Sequence, residues 1–444
     1  MALACGFVIA MAFLVSGCGS SEAPAPPEDD PEAPPVAVIG WDGATWDVIE
    51  PMLLDGRLPH LAALIDGGTR ARLLAEPPLL SPVAWTTLAT GFTEEEHGIA
   101  GFNMPDPTGK GSPILAASFH RRRAALWQMV SAAPEREVGF IGWWTTWPAE
   151  PVRGYVVTDH LAFNRWDAWA RRPENEAFHL TYPAELTDEL SAVAVRPEQT
   201  GAETLTRLVA FNEREQQEMM AATRPVIFHG PSVFRFGYST DASNLAFARH
   251  LLDTREQPDL FAVSFILTDV AGHVFWHHYR PEAYADPPAD AGRLAEAIPD
   301  IYEQVDRWTG ELLARLEPDT RVLLISDHGM RSTGQRPVPG RNPAGDHDPA
   351  GIFVASGPGL RRGAELHSLS SLDFTPTVLA LLGLPVADDM PGRVVHELFE
   401  DPGLWNGARI PSYGDGRDGK VEMVESPADE AYRDRLKALG YIGE

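Results

Sequence analysis

Val322-Leu-Leu-Ile325 is an unbroken apolar run of branched residues, the pattern of a strand buried on both faces. It leads directly into Ser326-Asp-His-Gly329. A carboxylate and an imidazole therefore follow a buried strand, and open α/β sheets place their ligand sites just beyond such strand ends. Gly329 is expected to let the backbone turn sharply. Asp327 and His328 offer one hard oxygen and one borderline nitrogen, a pair suited to zinc or manganese. Taken alone, the stretch reads more simply as a strand-ending turn.

Two other segments repeat the pattern. Val36-Ala-Val-Ile-Gly-Trp41 ends in Asp42, and a helical stretch from Thr45 to Leu54 follows. Leu260 to Thr268 is apolar and leads to Asp269-Val-Ala-Gly-His273. A spacing of four sets Asp269 and His273 on one face of a helical turn, a chelating arrangement. His277 continues that face, as an outer partner or as plain surface. Asp42 by itself is equally a helix-capping turn residue. In a parallel sheet the three strand ends share one edge, so the groups can converge.

Ser81-Pro82 opens a helix that ends near Gly91, with Ser81 expected as N-cap and Pro82 at the first helical position. The same geometry would serve a nucleophile, because amides and dipole at a helix start favour an alkoxide and phosphate oxygens. His97, in Glu96-His-Gly-Ile99, reads as a structural hydrogen-bonding residue. Trp143, Trp144 and Trp147 read as core or wall, with stacking on a substrate as the alternative. His347, in Arg341-Asn-Pro-Ala-Gly-Asp-His-Asp-Pro349, is expected on a loop of turn formers. Thr375-Pro376 is expected to cap and start a helix that stops at Gly383.

Composition narrows the chemistry. The chain has 444 residues, 44% hydrophobic and 22% charged, enough for one large α/β domain with insertions or for two to three smaller domains. Its formal net charge of -27 argues against nucleic acid as a partner. An anionic substrate would need local positive charge, which metal ions can supply. Lysine occurs only at Lys110, Lys420 and Lys437. The two cysteines, Cys5 and Cys18, both precede the expected folded part. A metal would thus be held by Asp, Glu and His.

Residues 1–18 are expected to form a lipoprotein signal peptide. Leu14-Val-Ser-Gly-Cys18 resembles a bacterial lipobox, although no Lys or Arg precedes the apolar stretch. This implies a membrane anchor through lipid on Cys18, at the periplasmic or extracellular face of the bacterial cell envelope. Residues 19–35 are a Pro-rich acidic linker. The catalytic domain is expected over 36–400, with a cap inserted at about 153–249. Residues 401–444 form a C-terminal extension with an amphipathic helix after Ser426.

Together, VIGWDG, LLSPVAWTTLATG followed by EEHGI, TDVAGH, ISDHGM, GDHDPAGIFVASGPG and LDFTPTVLALLGLP resemble the alkaline phosphatase superfamily. Within it they resemble the type I phosphodiesterase / nucleotide pyrophosphatase family, over roughly Val36 to Val395. The resemblance implies a three-layer α/β sandwich with a mostly parallel sheet, helices on both faces and an inserted cap. It implies a hydrolase of small-molecule, lipid or glycan phosphate esters with two divalent ions. Zinc is expected, with manganese or iron as alternatives. Asp269, His273 and His347 would hold one ion. Asp42, Asp327 and His328 would hold the other, with Ser81 bound to it as nucleophile.

Two departures limit what carries over. Nucleotide pyrophosphatases use threonine where this chain has Ser81. Phe102 stands at their phosphate-contacting asparagine, with Asn103 beside it as a substrate-binding candidate. Ser81-Pro-Val-Ala-Trp also lacks the arginine of a sulfatase signature. The rival readings are a phosphoryl or headgroup transferase of the same superfamily and a non-catalytic, metal-stabilised surface lipoprotein.

Overall fold

Strand β1 (Val36–Trp41) is buried along its whole length. A strand with no exposed side must be covered on both faces, and the topology shows how. The computed structural model describes residues 33–414, except 106–112, 165–178, 224–229, 336, 339–340, 402, 404 and 406. Cys18, the linker up to residue 32 and the expected helix after Ser426 lie outside the described residues.

The other strands are β2 (Gly68–Leu74), β3 (Asn103–Met104), β4 (Ile114–Leu115), β5 (Val138–Ile141), β6 (Gly154–Val157) and β7 (Thr181–Tyr182). Beyond them come β8 (Leu260–Phe265), β9 (Arg321–Ile325), β10 (Gly329–Ser332), β11 (Gly345–Asp348), β12 (Ala350–Ser356) and β13 (Ala364–Ser370). Nine of them form one sheet in the order β13-β2-β12-β9-β1-β8-β5-β6-β7. Its pairings are parallel except at β12, which runs against β2 and β9, and at β7, which runs against β6. The main helices are α1 (Trp46–Leu54), α2 (Pro59–Asp66), α3 (Ser81–Thr90), α4 (Gly230–Thr254), α5 (Leu267–Tyr279), α6 (Ala297–Leu313) and α7 (Phe374–Leu381). This is the expected α/β class, a large, mostly parallel sheet covered by helices. No helix of the described residues is long and apolar enough to cross a membrane.

The core is continuous across the sheet. Trp41, Phe140, Phe261, Phe265 and Phe353 are among its fully buried side chains. Each such burial contributes roughly 1.5–3 kcal/mol before entropy is counted. β1 lies between β8 and β9 with flush ends: Trp41 pairs with Phe265 and Gly40 with Ile325. Whatever follows these three strands therefore leaves the sheet at one place.

Several expectations change. The stretch 153–249 is not simply an inserted cap. β6 and β7 extend the central sheet, and α4 packs on β8 and α5. Its charged, proline-broken sequence hides short strands that only pairing reveals, β6 with β5 and β7 with β6. Helix α7 begins at Phe374, so Thr375 lies inside it. The Thr375 hydroxyl donates instead to the Leu88 carbonyl on α3. Gly329 does not adopt a positive φ; a side chain there would strike the Ala350 carbonyl, within 2.2 Å. Its role is close approach rather than a special turn.

Candidate metal centre and active site

The flush ends of β1, β8 and β9 deliver three carboxylates. Asp42 follows β1 directly, Asp327 follows β9 by two residues, and Asp269 sits in the first turn of α5 after β8. All three are fully buried. Gly43, with φ +67°, turns the chain away, and a Cβ there would meet Asp269 at 2.9 Å. Only glycine lets the first strand end so close to the third carboxylate. The Thr268 hydroxyl donates to the Asp42 carbonyl, tying β1 to the start of α5. Ser326 accepts from the Ala44 amide at 2.9 Å and donates to the His328 carbonyl.

The imidazoles arrive by two routes. His273 stands one turn after Asp269 on α5, and its Nε2 is 3.4 Å from Asp269 Oδ1. His328 Nε2 lies 3.5 Å from Asp42 Oδ1 and 3.4 Å from Asp327 Oδ2. His347 is not on a loop. It is part of β11, opposite Met330 of β10. Its Nε2 comes within 3.4 Å of Asp269 Oδ1, and its ring stacks on His328 at 3.8 Å. Two groups of ligand atoms result, Asp269–His273–His347 and Asp42–Asp269–His328. Asp269 thus stands between both, with Asp327 against His328.

The far nitrogen of every ring is already engaged. His273 Nδ1 bonds the Gly345 carbonyl at 2.9 Å and His328 Nδ1 that of Gly329 at 3.0 Å. His347 Nδ1 donates to the Leu79 carbonyl. Such bonds place the proton on Nδ1 and turn each Nε2 lone pair inward, the tautomer a metal ligand requires. Asp42 Oδ1, Asp327 Oδ2 and His328 Nε2 are buried and have no hydrogen-bond partner. Buried polar atoms of this kind are costly unless something charged satisfies them. An oxygen and nitrogen donor set without thiolate fits hard to borderline divalent ions.

Electrostatics agree. Burial, with Asp269 nearby, pushes the Asp42 carboxyl up to about 7. Burial and the Asp42 and Asp269 charges hold Asp327 well above the carboxylate range. Burial would raise Asp269 too, but His273, His347 and His328 together bring it down. Burial lowers His273 and His328. It also opposes charge on His347, yet Asp269 outweighs it and the net shift is upward. Without a cation, Asp42 and Asp327 therefore favour their protonated forms while Asp269 stays ionised beside the imidazoles.

Helix α3 starts at Ser81, but Leu80 holds the N-cap position and no side chain caps the helix. Ser81 is therefore not the N-cap. Its Oγ is buried and accepts nothing. Two residues earlier, Leu79 binds His347; one turn later, Trp85 Nε1 donates to Asp42 Oδ2 at 3.0 Å. The first turn of α3 is thus tied to both ligand groups. His97 is buried between the Thr87 hydroxyl and the Ile99 amide, a structural role. Phe102 packs edge-on against Trp144, and Asn103 is exposed on β3. His277 sits beside His278 and Tyr284. A separate cavity of about 510 Å³, lined by Trp46, Arg70, Arg72 and Glu365 among others, contains none of the ligands.

Three contributors escape sequence reasoning. Trp85 and Trp144 both donate to Asp42, and Asp241 of α4 accepts the Ile266 and Leu267 amides at the start of α5. Their partners are 25 to 102 residues away in sequence, so no local pattern announces them.

Fold and site together define an α/β protein built around a buried carboxylate–imidazole cluster with the donor atoms to hold metal ions. Residues 36–399 match the type I phosphodiesterase / nucleotide pyrophosphatase family, and the chain belongs to that family. The family is metal-dependent, typically with two ions, and acts on small-molecule phosphate esters. Over 119 residues the chain is 34% identical to a 2,3-bisphosphoglycerate-independent phosphoglycerate mutase from Agrobacterium fabrum, covering 26% of this chain and 23% of that protein. Over 163 residues it is 26% identical to the Homo sapiens GPI ethanolamine phosphate transferase 3, catalytic subunit, covering 34% of this chain and 12% of that one. The matched stretches span less than a quarter of either relative. Among solved structures, human ectonucleotide pyrophosphatase / phosphodiesterase 5 aligns with a TM-score of 0.47 and 14% identity, over 83% of this chain and 100% of that one.

Proposed function

We propose that this protein hydrolyses phosphate esters, diesters in preference to monoesters, with Ser81 as nucleophile. The observation that carries the reading is the inward convergence of three Nε2 atoms and three carboxylates beside the first turn of α3. Asp269, His273 and His347 would hold one ion; Asp42, Asp327 and His328 would hold the other. Two bound dications, zinc by the donor set, supply charge that neutralises phosphoryl oxygens and makes the serine hydroxyl more acidic.

The chain's own residues do the rest. Ser81 Oγ has no hydrogen bond to break before it attacks phosphorus. As the Oγ–P bond forms, the bond from phosphorus to the ester oxygen breaks and the alcohol leaves with the proton given up by Ser81. Water then attacks phosphorus, releasing phosphate from a monoester or the remaining phosphate monoester from a diester and returning a proton to Oγ. Amides at the start of α3 favour the phosphoryl oxygens. The lipobox supports a lipid anchor at Cys18, which would hold this site at the bacterial cell envelope.

Ser81→Ala tests the proposal. Turnover of mono- and diester chromogenic substrates is expected to fall roughly 10²- to 10⁵-fold while bound metal is retained. Acid quenching should trap the phosphoryl group on Ser81, with its second ester still attached when the substrate is a diester. Full turnover in folded, metal-loaded Ser81→Ala protein would overturn the assignment. The match to an ethanolamine phosphate transferase favours a second reading, transfer of the same phosphoryl group to an alcohol. Product analysis with and without an added alcohol acceptor separates the two.

A further inference from the structure

We infer that Trp85 and Trp144 are positioning residues for Asp42: their indole N–H groups occupy one carboxylate oxygen and commit the other to a metal ion. The inference rests on the reading of Asp42 as a ligand and extends it to how that ligand is aimed.

Trp85 Nε1 lies 3.0 Å and Trp144 Nε1 3.1 Å from Asp42 Oδ2. A carboxylate oxygen accepts along two lone-pair directions, and an indole nitrogen only donates. Both directions at Oδ2 are filled. Asp42 Oδ1 is left without a hydrogen-bond partner, 3.5 Å from His328 Nε2. The carboxylate is thus split into a held oxygen and a presented one. A bare Asp can swing or bind through both oxygens; this one offers a single atom in a fixed direction. All the rings are buried, so water does not compete.

The two donors come from different parts of the chain. Trp85 is on α3, one turn after Ser81, so the helix that carries the nucleophile also holds the ligand. Gly40 makes room for it: a Cβ there would meet the Trp85 ring at 2.4 Å. Trp144 follows β5 in a turn that a third group holds. Thr145, a β-branched residue, sits at φ +60°, a conformation such residues rarely adopt. Buried Asp159 accepts the Thr145 amide on one oxygen at 3.3 Å and the Thr146 hydroxyl on the other at 3.1 Å. Asp159 therefore steadies the turn that aims Trp144.

Trp143 provides an internal control. It is buried in the same cluster and packs edge-on against Trp85 at 4.6 Å, but its Nε1 donates to the Trp85 carbonyl. Its replacement by Phe removes the same ring volume and an indole hydrogen bond without touching Asp42.

The experiment measures zinc affinity of the full chain by chelator competition for wild type, Trp85→Phe, Trp144→Phe and Trp143→Phe. Outer-sphere partners of metal ligands typically change affinity 10- to 100-fold. Each clamp variant is expected to weaken one of two ions by about that factor, leaving the other within about threefold of wild type. Trp143→Phe should leave both within about threefold. Unchanged affinity in both clamp variants, or an equal loss in Trp143→Phe, would overturn the clamp. A wild type that binds no ion overturns the metal centre itself, a different failure. If a clamp variant does not fold, ¹⁵N-indole spectra of wild type decide: two indole resonances should shift as zinc fills the Asp42 site, and no indole shift on zinc loading overturns the inference.

Discussion

His273 Nε2 and His347 Nε2 face each other at 3.0 Å. The far nitrogen of each ring bonds a backbone carbonyl, so the facing atoms are both acceptors in the neutral rings. Two lone pairs that close need a proton or a cation between them. Asp269 raises His347 and so favours the proton when no ion is bound.

Metal binding must then displace protons. Asp42 is held at about 7, Asp327 well above the carboxylate range, and His347 above its usual value. Each keeps a proton to higher pH than a free group would, so zinc affinity should rise with pH through about 7 and fall below it. Titration calorimetry at pH 6 in buffers of different ionisation heat should show net proton release on zinc binding. Identical apparent heats in those buffers would refute this.

Asp42→Asn should stabilise the metal-free protein at high pH. The folded Asp42 carboxyl sits at about 7 against an ordinary 3.8, so folding favours its protonated form. Its stability contribution is present below about pH 4 and lost as pH rises through about 7. Asparagine keeps the neutral form. With chelator present, the variant should melt above wild type at pH 8, by roughly 1–4 kcal/mol, and match it at pH 4. With zinc the order should reverse. A lower melting temperature than wild type at pH 8 in chelator would contradict the burial argument.

The two ligand groups should empty separately. His347→Ala removes a ligand of the Asp269–His273 group only, and Asp327→Ala removes the carboxylate beside His328. Elemental analysis after dialysis should find about one ion in each variant and none in the double variant. Loss of both ions from each single variant would point to one cooperative site.

Asp241 links α4 to the metal centre. Its oxygens accept the Ile266 and Leu267 amides at 2.9 and 2.8 Å, where α5 begins. Asp241→Ala would leave two buried amides unpaired, a cost of about 2–4 kcal/mol. It should also weaken the ion proposed at Asp269 and His273; a melting curve and a metal titration check the two effects separately. Asp241→Asn keeps one acceptor and should fall between. Unchanged stability and metal affinity in Asp241→Ala would remove Asp241 from the site's support.

Cys18→Ala should release the protein from membranes or leave it unprocessed. Fractionation and intact mass of the mature protein check this. An unmodified mature terminus elsewhere would rule out the anchor.

Much of the site was legible locally. Apolar runs ending in Asp42, Asp269 and Asp327-His328 announce strands and their products, because a buried strand has to be continuous and apolar. The four-residue spacing of Asp269 and His273 is a property of one helix. His347 was harder: its turn formers read as a loop, and only pairing with Met330 on β10 makes it a strand residue. Ser81-Pro82 marks a helix start correctly to within one residue, but capping depends on where the backbone bends, which tertiary contacts decide.

By itself the sequence determined the α/β class, the three buried strands that lead to Asp42, Asp269 and Asp327, and the candidate metal-holding groups, because those follow from short-range periodicity and side-chain chemistry. Tertiary structure alone decided how those groups are aimed. The ring nitrogens are oriented by carbonyls of Gly345, Gly329 and Leu79, and the Asp42 carboxylate by Trp85 and Trp144, 43 and 102 residues distant. Hydrogen bonds across such separations obey no sequence period; they exist only once the flush ends of β1, β8 and β9 have brought their partners to one edge.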